Sequence, residues 1–249
     1  MIETNVERVV KTKARVLGFV LAALLTAWVL IAAGSARAAT TFTVNSMADL
    51  GDKSSADGLC DTGRFVLGAG PECTLRAAIQ QANAASGADT INFGIPGTGV
   101  KTIAPKLGLP SITDTVTIDG YSQPDASENT LGTGTNAVLL VELSGANVGA
   151  ASIALDIRAS NSVVRGLVIN RFGDGVLVSD GTGSRIQGNF IGTDPSGISD
   201  LGNANRGVLI FTSNNTVGGA SSEARNLISG NGFIASSSPG LRATRCKAT

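Results

Sequence analysis

Short apolar runs recur along the chain from about residue 90 to residue 228, separated by Gly, Asn, Asp, Ser and Pro. Runs this short between turn-forming residues are typical of β-strands. An earlier strand is predicted at residues 41–45, where Phe42 and Val44 alternate with polar residues. The later strands are predicted at or around residues 91–93, 102–103, 116–118, 138–143, 155–157, 163–164, 167–169, 176–178, 186, 190–191, 208–211, 217 and 227–228.

Residues 74–84 have a helical period instead. Their apolar side chains are spaced by three or four positions and fall on one face of an α-helix: Leu75, Ala78, Ile79 and Ala82. The polar residues predicted on the opposite face are Arg76, Gln80 and Gln81. The sequence Ser86-Gly87 is expected to end this helix.

Three units in the second half of the chain repeat one order of apolar positions. Each begins with a triplet, at 155–157, 176–178 and 208–210, and has an apolar residue seven or eight positions later, at Val164, Ile186 and Val217. A glycine follows two positions further on (Gly166, Gly188, Gly219), and an apolar pair closes the unit (168–169, 190–191, 227–228). The first two units are offset by 21 or 22 residues. Insertions in 193–206 and 220–224 account for the longer offset of the third.

A unit of about 22 residues, with three short strands and insertions confined to turns, is typical of one coil of a parallel β-helix. We therefore predict an all-β solenoid whose coils bury their apolar side chains by stacking. Gly and Asn at the corners would supply positive φ angles and stacked hydrogen bonds. Because the helix at 74–84 precedes every coil, we expect it to cap the open end of the stack.

The first residues of the chain have the pattern of a secretory leader. Four basic residues (Arg8, Lys11, Lys13 and Arg15) precede the uncharged run 16–33, and Ala36-Arg37-Ala38 matches a signal-peptidase site. This order predicts a cleavable signal peptide at 1–38 and a secreted or cell-surface protein. An uncleaved N-terminal anchor is the alternative, because an apolar run of that length could span a bilayer.

Composition narrows the function classes. The 249 residues include no His, which removes the commonest general base and metal ligand and excludes zinc hydrolases and His-dependent triads. Lys plus Arg equals Asp plus Glu, 19 of each, but the leader holds five of the basic and two of the acidic residues. The mature chain is therefore mildly acidic, and we expect no nucleic-acid partner and no membrane contact beyond the signal segment.

Export also permits disulfide bonds. Cys60 and Cys73 lie close together in a Gly- and Asp-rich stretch, whereas Cys246 is near the C-terminus. A bond between Cys60 and Cys73 would close a short loop and leave Cys246 as the odd thiol.

Residues 73–79, with the sequence CTLRAAI, resemble the CSLREA motif near the start of many exported bacterial proteins. Thr74 and Ala77 differ from that motif. Segments 42–46 and 57–61 fit the same N-terminal module, and segments 91–93, 117–120 and 226–231 are similar to right-handed parallel β-helix repeat proteins with a pectin-lyase-like fold.

The resemblance covers about residues 40–232 and implies a right-handed solenoid. The predicted parts are a disulfide-bearing capping module (39–89), β-helix coils (90–232) and an irregular tail (233–249). The coil pattern stops before the tail, so we expect a truncated or frame-shifted member of a longer family. The fold implies no activity, because it occurs in pectate lyases and polygalacturonases as well as in other proteins.

An enzyme of this fold would need clustered carboxylates, or an Arg or Lys base beside acidic groups that hold Ca²⁺. The catalytic candidates on the coils are Asp156, Asp174, Arg165 and Arg171; Asp180, Arg158 and Arg185 are further charged residues there. No pair of acids recurs at matching coil positions, so turn and outer-face residues are the competing interpretation.

Asp52, Asp57 and Asp61, with Asp49, form a candidate Ca²⁺ site, because Ca²⁺ prefers several oxygen ligands. Their spacing matches neither an EF-hand nor the nonapeptide of Ca²⁺-binding β-rolls. A polar loop held by a disulfide is the competing interpretation, and we otherwise expect no cofactor.

The sequence favours a non-catalytic, adhesin-like surface protein that binds a polysaccharide or a cell-surface component. A polysaccharide lyase or glycoside hydrolase is the alternative, and a purely structural fragment is a third. Exposed aromatic side chains would support sugar binding, and the candidates for that role are Tyr121, Phe172 and Phe211.

Overall fold

A computed structural model describes residues 38–237 and 245–246. Residues 1–37 and most of the tail, with the predictions made for them, lie outside the described residues. No helix in the described part of the chain is long and apolar enough to cross a membrane.

The regular secondary structure of the described residues is mainly β-strand, with one α-helix, α1 (Leu75–Ala84), and two short 3₁₀ helices (Gly120–Ser122 and Gly145–Asn147). The strands are β1 Thr41–Val44, β2 Phe65–Val66, β3 Gly70–Pro71, β4 Asp89–Phe93, β5 Lys101–Ile103, β6 Val116–Asp119, β7 Val141–Ser144, β8 Ile153–Ile157, β9 Val163–Arg165, β10 Leu167–Asn170, β11 Asp174–Val178, β12 Arg185–Gln187, β13 Phe190–Ile191, β14 Arg206–Ile210, β15 Thr216–Val217, β16 Leu227–Ile228, β17 Phe233–Ser237 and β18 Arg245–Cys246.

Sixteen of these strands form three sheets with parallel pairing. The orders are β1-β4-β6-β9-β12-β15-β18, β5-β7-β10-β13-β16 and β8-β11-β14-β17, whereas β2 and β3 form a small antiparallel hairpin. From β8 onward the chain visits the four-, seven- and five-stranded sheets in turn, so each strand pairs with the strand three places later. The predicted class, a β-rich chain with recurring short strands, is confirmed.

The strand register confirms the alignment of the repeat. Ile157, Val178 and Ile210 are direct partners in neighbouring strands, and so are Val164, Ile186 and Val217 and the pairs 168–169, 190–191 and 227–228. All six residues of the first two sets are buried in one continuous apolar core. The hydrophobic effect therefore fixes the register, because a shift by one residue would expose every inward side chain.

Helix α1 begins one residue later than predicted, because Thr74 is its N-cap and accepts a hydrogen bond from the backbone N–H of Ala77 at 3.1 Å. Its apolar face packs on β1 and β4 at one end of the core. Gln81 was predicted on the polar face but is buried, where it donates to the Asp52 carboxylate and the Ser54 carbonyl. The loop from residue 49 to residue 61 covers that side of the helix, which its own periodicity cannot show.

The predicted bond between Cys60 and Cys73 is present, with 5.2 Å between the two Cα atoms. Cys73 immediately precedes the helix cap, so the bond ties the loop at residue 60 to the start of α1. Arg76, on the first turn of α1, pairs with Asp49 at 2.8 Å and donates to the carbonyls of Leu107 and Gly108. This N-terminal segment is thus fixed covalently and by polar contacts to its surroundings.

We call three consecutive strands, one from each sheet, a rung, and the turns between them corners. Polar side chains connect successive rungs at the corners. At each corner a backbone N–H donates to a side-chain oxygen of the next rung, over 2.9 to 3.2 Å: Ser162 to Ser184 to Asn215, Leu167 to Asn189 to Asn226, and Phe172 to Asn203 to Asn231. These ladders satisfy buried backbone donors that no strand pairing reaches. The expectation of stacked polar hydrogen bonds at the corners is confirmed.

Positive φ angles also occur at the corners, as expected, at Gly166 and Gly188. In the third unit the positive φ belongs to Gly218 instead of the aligned Gly219. The insertion that follows in this unit changes the path of the turn, so the residue that needs a positive φ lies one position earlier than in the other two units.

Candidate functional site

The outer face of the seven-stranded sheet is polar because its strands alternate. Val116 and Ile118 of β6 point into the core, which leaves Thr117 and Asp119 on the outside. Asp119 is the register partner of Arg165 in β9, and Arg165 is the partner of Gln187 in β12. Neighbouring strands are about 4.8 Å apart, so the side chains of Asp119 and Arg165 are adjacent.

Arg165 joins two carboxylates on this face. Its Nη2 lies 2.8 Å from Oδ2 of Asp119, and its Nη1 lies 2.9 Å from Oε1 of Glu128. The hydrogen bond with Asp119, together with both negative charges, raises the pKa of Arg165 above its ordinary value. Arg165 and Glu128 are each 38% exposed, so solvent reaches the cluster.

Tyr121 lies beneath this cluster. The guanidinium carbon of Arg165 is 5.7 Å from the centre of the Tyr121 ring, within the range of a cation–π contact. The Tyr121 hydroxyl donates to the carbonyl of Gly188 at 2.8 Å. Burial, and secondarily the nearby Glu128, raises the pKa of Tyr121, so its hydroxyl stays protonated at neutral pH.

The four side chains offer both hydrogen-bond donors and acceptors at the surface of the sheet. Arg165 and Tyr121 both have raised pKa values, so neither is a base at neutral pH. The exposed edges of the two carboxylates can accept hydrogen bonds, and the guanidinium edge and the tyrosine ring supply a donor and an apolar surface. We call Asp119, Tyr121, Glu128 and Arg165 the Arg165 cluster.

The other catalytic candidates lie elsewhere. Asp156 is on β8 of the four-stranded sheet and accepts hydrogen bonds from Ser111, Ser179 and Arg158 over 2.5 to 2.8 Å. Burial alone would raise the pKa of Asp156, but these three hydrogen bonds outweigh it and hold the pKa below its ordinary value. This carboxylate therefore connects β8 to neighbouring segments.

Asp174 and Arg171 also have separate surroundings. Asp174 begins β11 and lies 3.6 Å from Nη1 of Arg206, its register partner in β14. Arg171 follows β10 with a positive φ of 60°, and its Nη1 donates to Oγ of Ser144 at 3.3 Å. Of the four catalytic candidates, Arg165 alone is placed in a cluster with two described carboxylates.

The three Ca²⁺ candidates have protein partners. Asp52 accepts from Gln81 and from the backbone N–H of Asp61, and Asp57 accepts from the backbone N–H of Leu59. Asp61 pairs with Lys53 at 2.5 Å, and this hydrogen bond lowers the pKa of Asp61. Within the described ranges, no group of three or more His, Cys, Asp or Glu side chains is placed to hold a metal ion.

Two members of the cluster were not foreseen. Asp119 follows Val116 and Ile118 with strand alternation, a signal that places it on the outer face but does not name its partner. Glu128 lies in the irregular segment between β6 and β7, where no period predicts its position. Tyr121 was a sugar-binding candidate, but it is half-buried and its ring supports Arg165.

No family model, no curated protein and no solved structure matches the chain.

Proposed function

We propose that the protein is an exported, right-handed parallel β-helix solenoid that binds carbohydrate on the outer face of its seven-stranded sheet. Three observations support the solenoid: the cyclic order of the three sheets, the in-register apolar core and the polar ladders at the corners. Parallel crossover connections are right-handed in nearly all proteins, which supports the handedness. α1 then caps the first coil.

Two features support export. The leader pattern at residues 1–38 is that of a signal peptide, and the Cys60–Cys73 disulfide is typical of an oxidising compartment. The location of the mature protein is therefore the extracellular space or the cell surface.

The observation that carries carbohydrate binding is the pair of carboxylates joined by Arg165 above Tyr121 on an exposed sheet. Sugar hydroxyls are both donors and acceptors, so they match an edge where carboxylate and guanidinium groups alternate. The regular spacing of parallel strands also repeats along the face, which suits a polymer better than a single sugar. We infer that a neutral or weakly charged polysaccharide lies along this face.

The binding is non-catalytic in this proposal. Asp119 and Glu128 both accept hydrogen bonds from Arg165, which holds the two carboxylates in place beside the guanidinium. The alternative, a polysaccharide lyase or hydrolase at the same cluster, would have to release one carboxylate from Arg165 during turnover.

A panel of bacterial and plant polysaccharides tests the proposal through bound fraction, reducing sugar and unsaturated product, with and without Ca²⁺. We expect saturable binding of at least one polymer without product. Arg165→Gln should weaken that binding about tenfold, because it removes a charged group with two hydrogen-bonded partners. Arg64→Gln, an exposed arginine beside the β2–β3 hairpin and outside the seven-stranded sheet, is the matched control and should bind as the parent does.

The proposal would be contradicted if no polymer binds, or if both variants lose polysaccharide binding to the same extent. Product release that depends on Arg165 would favour the enzyme.

A further inference from the structure

The segment between β6 and β7 forms a small lobe on the outer face of the five-stranded sheet. Ser127 and Val138 exchange backbone hydrogen bonds of 3.0 and 2.9 Å and close residues 127–138 into a loop, which we call the lobe. Inside it, the side-chain oxygen of Asn129 accepts from the backbone N–H groups of Leu131 and Asn136. The lobe therefore has a defined shape of its own.

Apolar contacts and Arg225 fix the lobe to the sheet. Leu139, which directly follows the lobe, packs with Val168 of β10 and Phe190 of β13. Arg225, which precedes β16, donates from Nη1 to the Gly132 carbonyl at 2.7 Å and from Nη2 to the carbonyls of Leu131 and Gly134. Asn129 also donates to the Ser222 carbonyl at 3.0 Å.

A cavity of about 270 Å³ remains between the lobe and the sheet. Phe190 and Leu227 provide an apolar wall, and Thr133, Thr135 and Arg225 line the other sides. This volume is below that of pockets for drug-sized ligands, so it has room for one ring with a small substituent and not for a sugar chain. A polymer bound to the Arg165 cluster would not occupy it.

The charge of Arg225 indicates which class of ligand fits the cavity. All three carbonyls that Arg225 contacts are neutral, and no carboxylate of the described residues lies within ion-pair distance of it. Its Nε is buried without a hydrogen-bond partner in this part of the chain. A half-buried guanidinium without a counter-charge creates a positive potential in the adjoining space, and an anion entering that space relieves it.

We propose that this cavity binds a small ring-borne carboxylate, with its ring against Phe190 and Leu227 and its carboxylate facing Arg225. The ligand also bridges the lobe and the sheet, since its two walls belong to different segments of the chain. The residues that line the cavity are not members of the Arg165 cluster, although Glu128 of that cluster lies in the lobe. A ligand that holds both walls stabilises the docked position of the lobe.

Titration of the purified protein by NMR and calorimetry tests this site, with benzoate and galacturonate as two sources of the same carboxylate. Benzyl alcohol and galactose are their neutral counterparts. For a ligand this small we expect saturable binding of at least one acid with a dissociation constant of about 1 mM, and at least about tenfold weaker binding of its neutral counterpart. Which acid binds more tightly distinguishes an aromatic acid from a sugar acid.

Four variants test whether binding depends on this site or on the overall charge of the protein. Arg225→Gln should weaken binding of the acid about tenfold, and Arg225→Lys should restore part of it because the charge returns. Thr133→Tyr narrows the cavity from an exposed position and should also weaken binding, without touching the bonds that dock the lobe. Arg185→Gln, on another sheet, should change nothing.

The proposal is overturned if neither acid binds, if acid and neutral counterpart bind equally, or if Thr133→Tyr binds as the parent does. Because Thr133→Tyr keeps Arg225, its result remains decisive even if Arg225→Gln releases the lobe.

Discussion

The side-chain oxygen of Asn226 accepts the backbone N–H of Asn189 at 2.9 Å, and the side-chain oxygen of Asn189 accepts the backbone N–H of Leu167 at 3.0 Å. The amide of Asn189 donates in turn to the carbonyls of Val164 and Gln187. Asn189 is fully buried, so no water can replace these bonds. One side chain therefore satisfies backbone groups of two rungs at a single corner.

Substitution Asn189→Ala should destabilise the protein by about 3 kcal/mol, because it leaves several buried backbone groups without partners. Asn205→Ala is the matched control, since Asn205 is exposed and makes one long hydrogen bond. Its free energy of unfolding should stay within about 0.5 kcal/mol of the parent. Urea unfolding followed by circular dichroism measures both, and equal stability of the two variants would argue against the role of the ladder.

Loss of the disulfide should also be measurable. Cys60 and Cys73 are 13 residues apart, and closing a loop of this length stabilises a protein by about 3 kcal/mol through the entropy of the unfolded chain. The double variant Cys60→Ser/Cys73→Ser should therefore unfold at lower urea concentration than the oxidised parent. The reduced parent is the control, and it should match the double variant. A reduced parent as stable as the oxidised protein would contradict this prediction.

The periodic parts of the fold could be predicted from the sequence, and the irregular parts could not. Ile157, Val178 and Ile210 align because burial imposes one spacing on every repeat unit, and the structure has them as direct partners. Gln81 was placed on the wrong face, because the loop that buries it lies more than twenty residues earlier in the chain.

The candidate site could likewise be predicted only where its residues lie on periodic strands. Arg165 was a candidate from its position on a coil, but Glu128 reaches it from a segment without strand or helix period. Contacts of this kind depend on how a long loop folds back over a sheet, and local hydrophobic pattern carries no information about that.

Acid should selectively weaken the contribution of Asp156. Hydrogen bonds from Ser179, Ser111 and Arg158 hold its pKa below the ordinary value of 3.8 in the folded state. A lowered folded pKa means that the stabilisation is complete above the unfolded pKa and is lost as pH falls through the folded pKa. Asp156→Asn should therefore be less stable than the parent at pH 7, with the difference shrinking below about pH 4.

Urea unfolding at a series of pH values measures this difference. Asp180→Asn is the control, because Asp180 is exposed on a turn and its side chain accepts a hydrogen bond from the backbone N–H of the next residue, Gly181. A difference between parent and Asp156→Asn that stays constant with pH would show that the Asp156 carboxylate is not stabilised as an anion.

Close backbone contact between rungs makes Gly120 intolerant of any side chain. A Cβ at Gly120 would lie 2.6 Å from the carbonyl carbon of Gly166, and closer still to its oxygen. Backbone atoms cannot move aside as a flexible side chain does, so Gly120→Ala should separate β6 from β9 and cost about 3 kcal/mol. Gly108→Ala is the matched control, because nothing lies within 4 Å of its Cβ position. That control should be neutral or slightly stabilising, since alanine restricts the unfolded chain.

Thermal unfolding of the two variants compares them directly, and a Gly120→Ala protein as stable as Gly108→Ala would mean that the two rungs are not in contact at this position. Because Asp119 and Tyr121 flank Gly120, the same displacement should also disturb the Arg165 cluster and weaken the proposed polysaccharide binding, whereas Gly108→Ala should leave that binding unchanged.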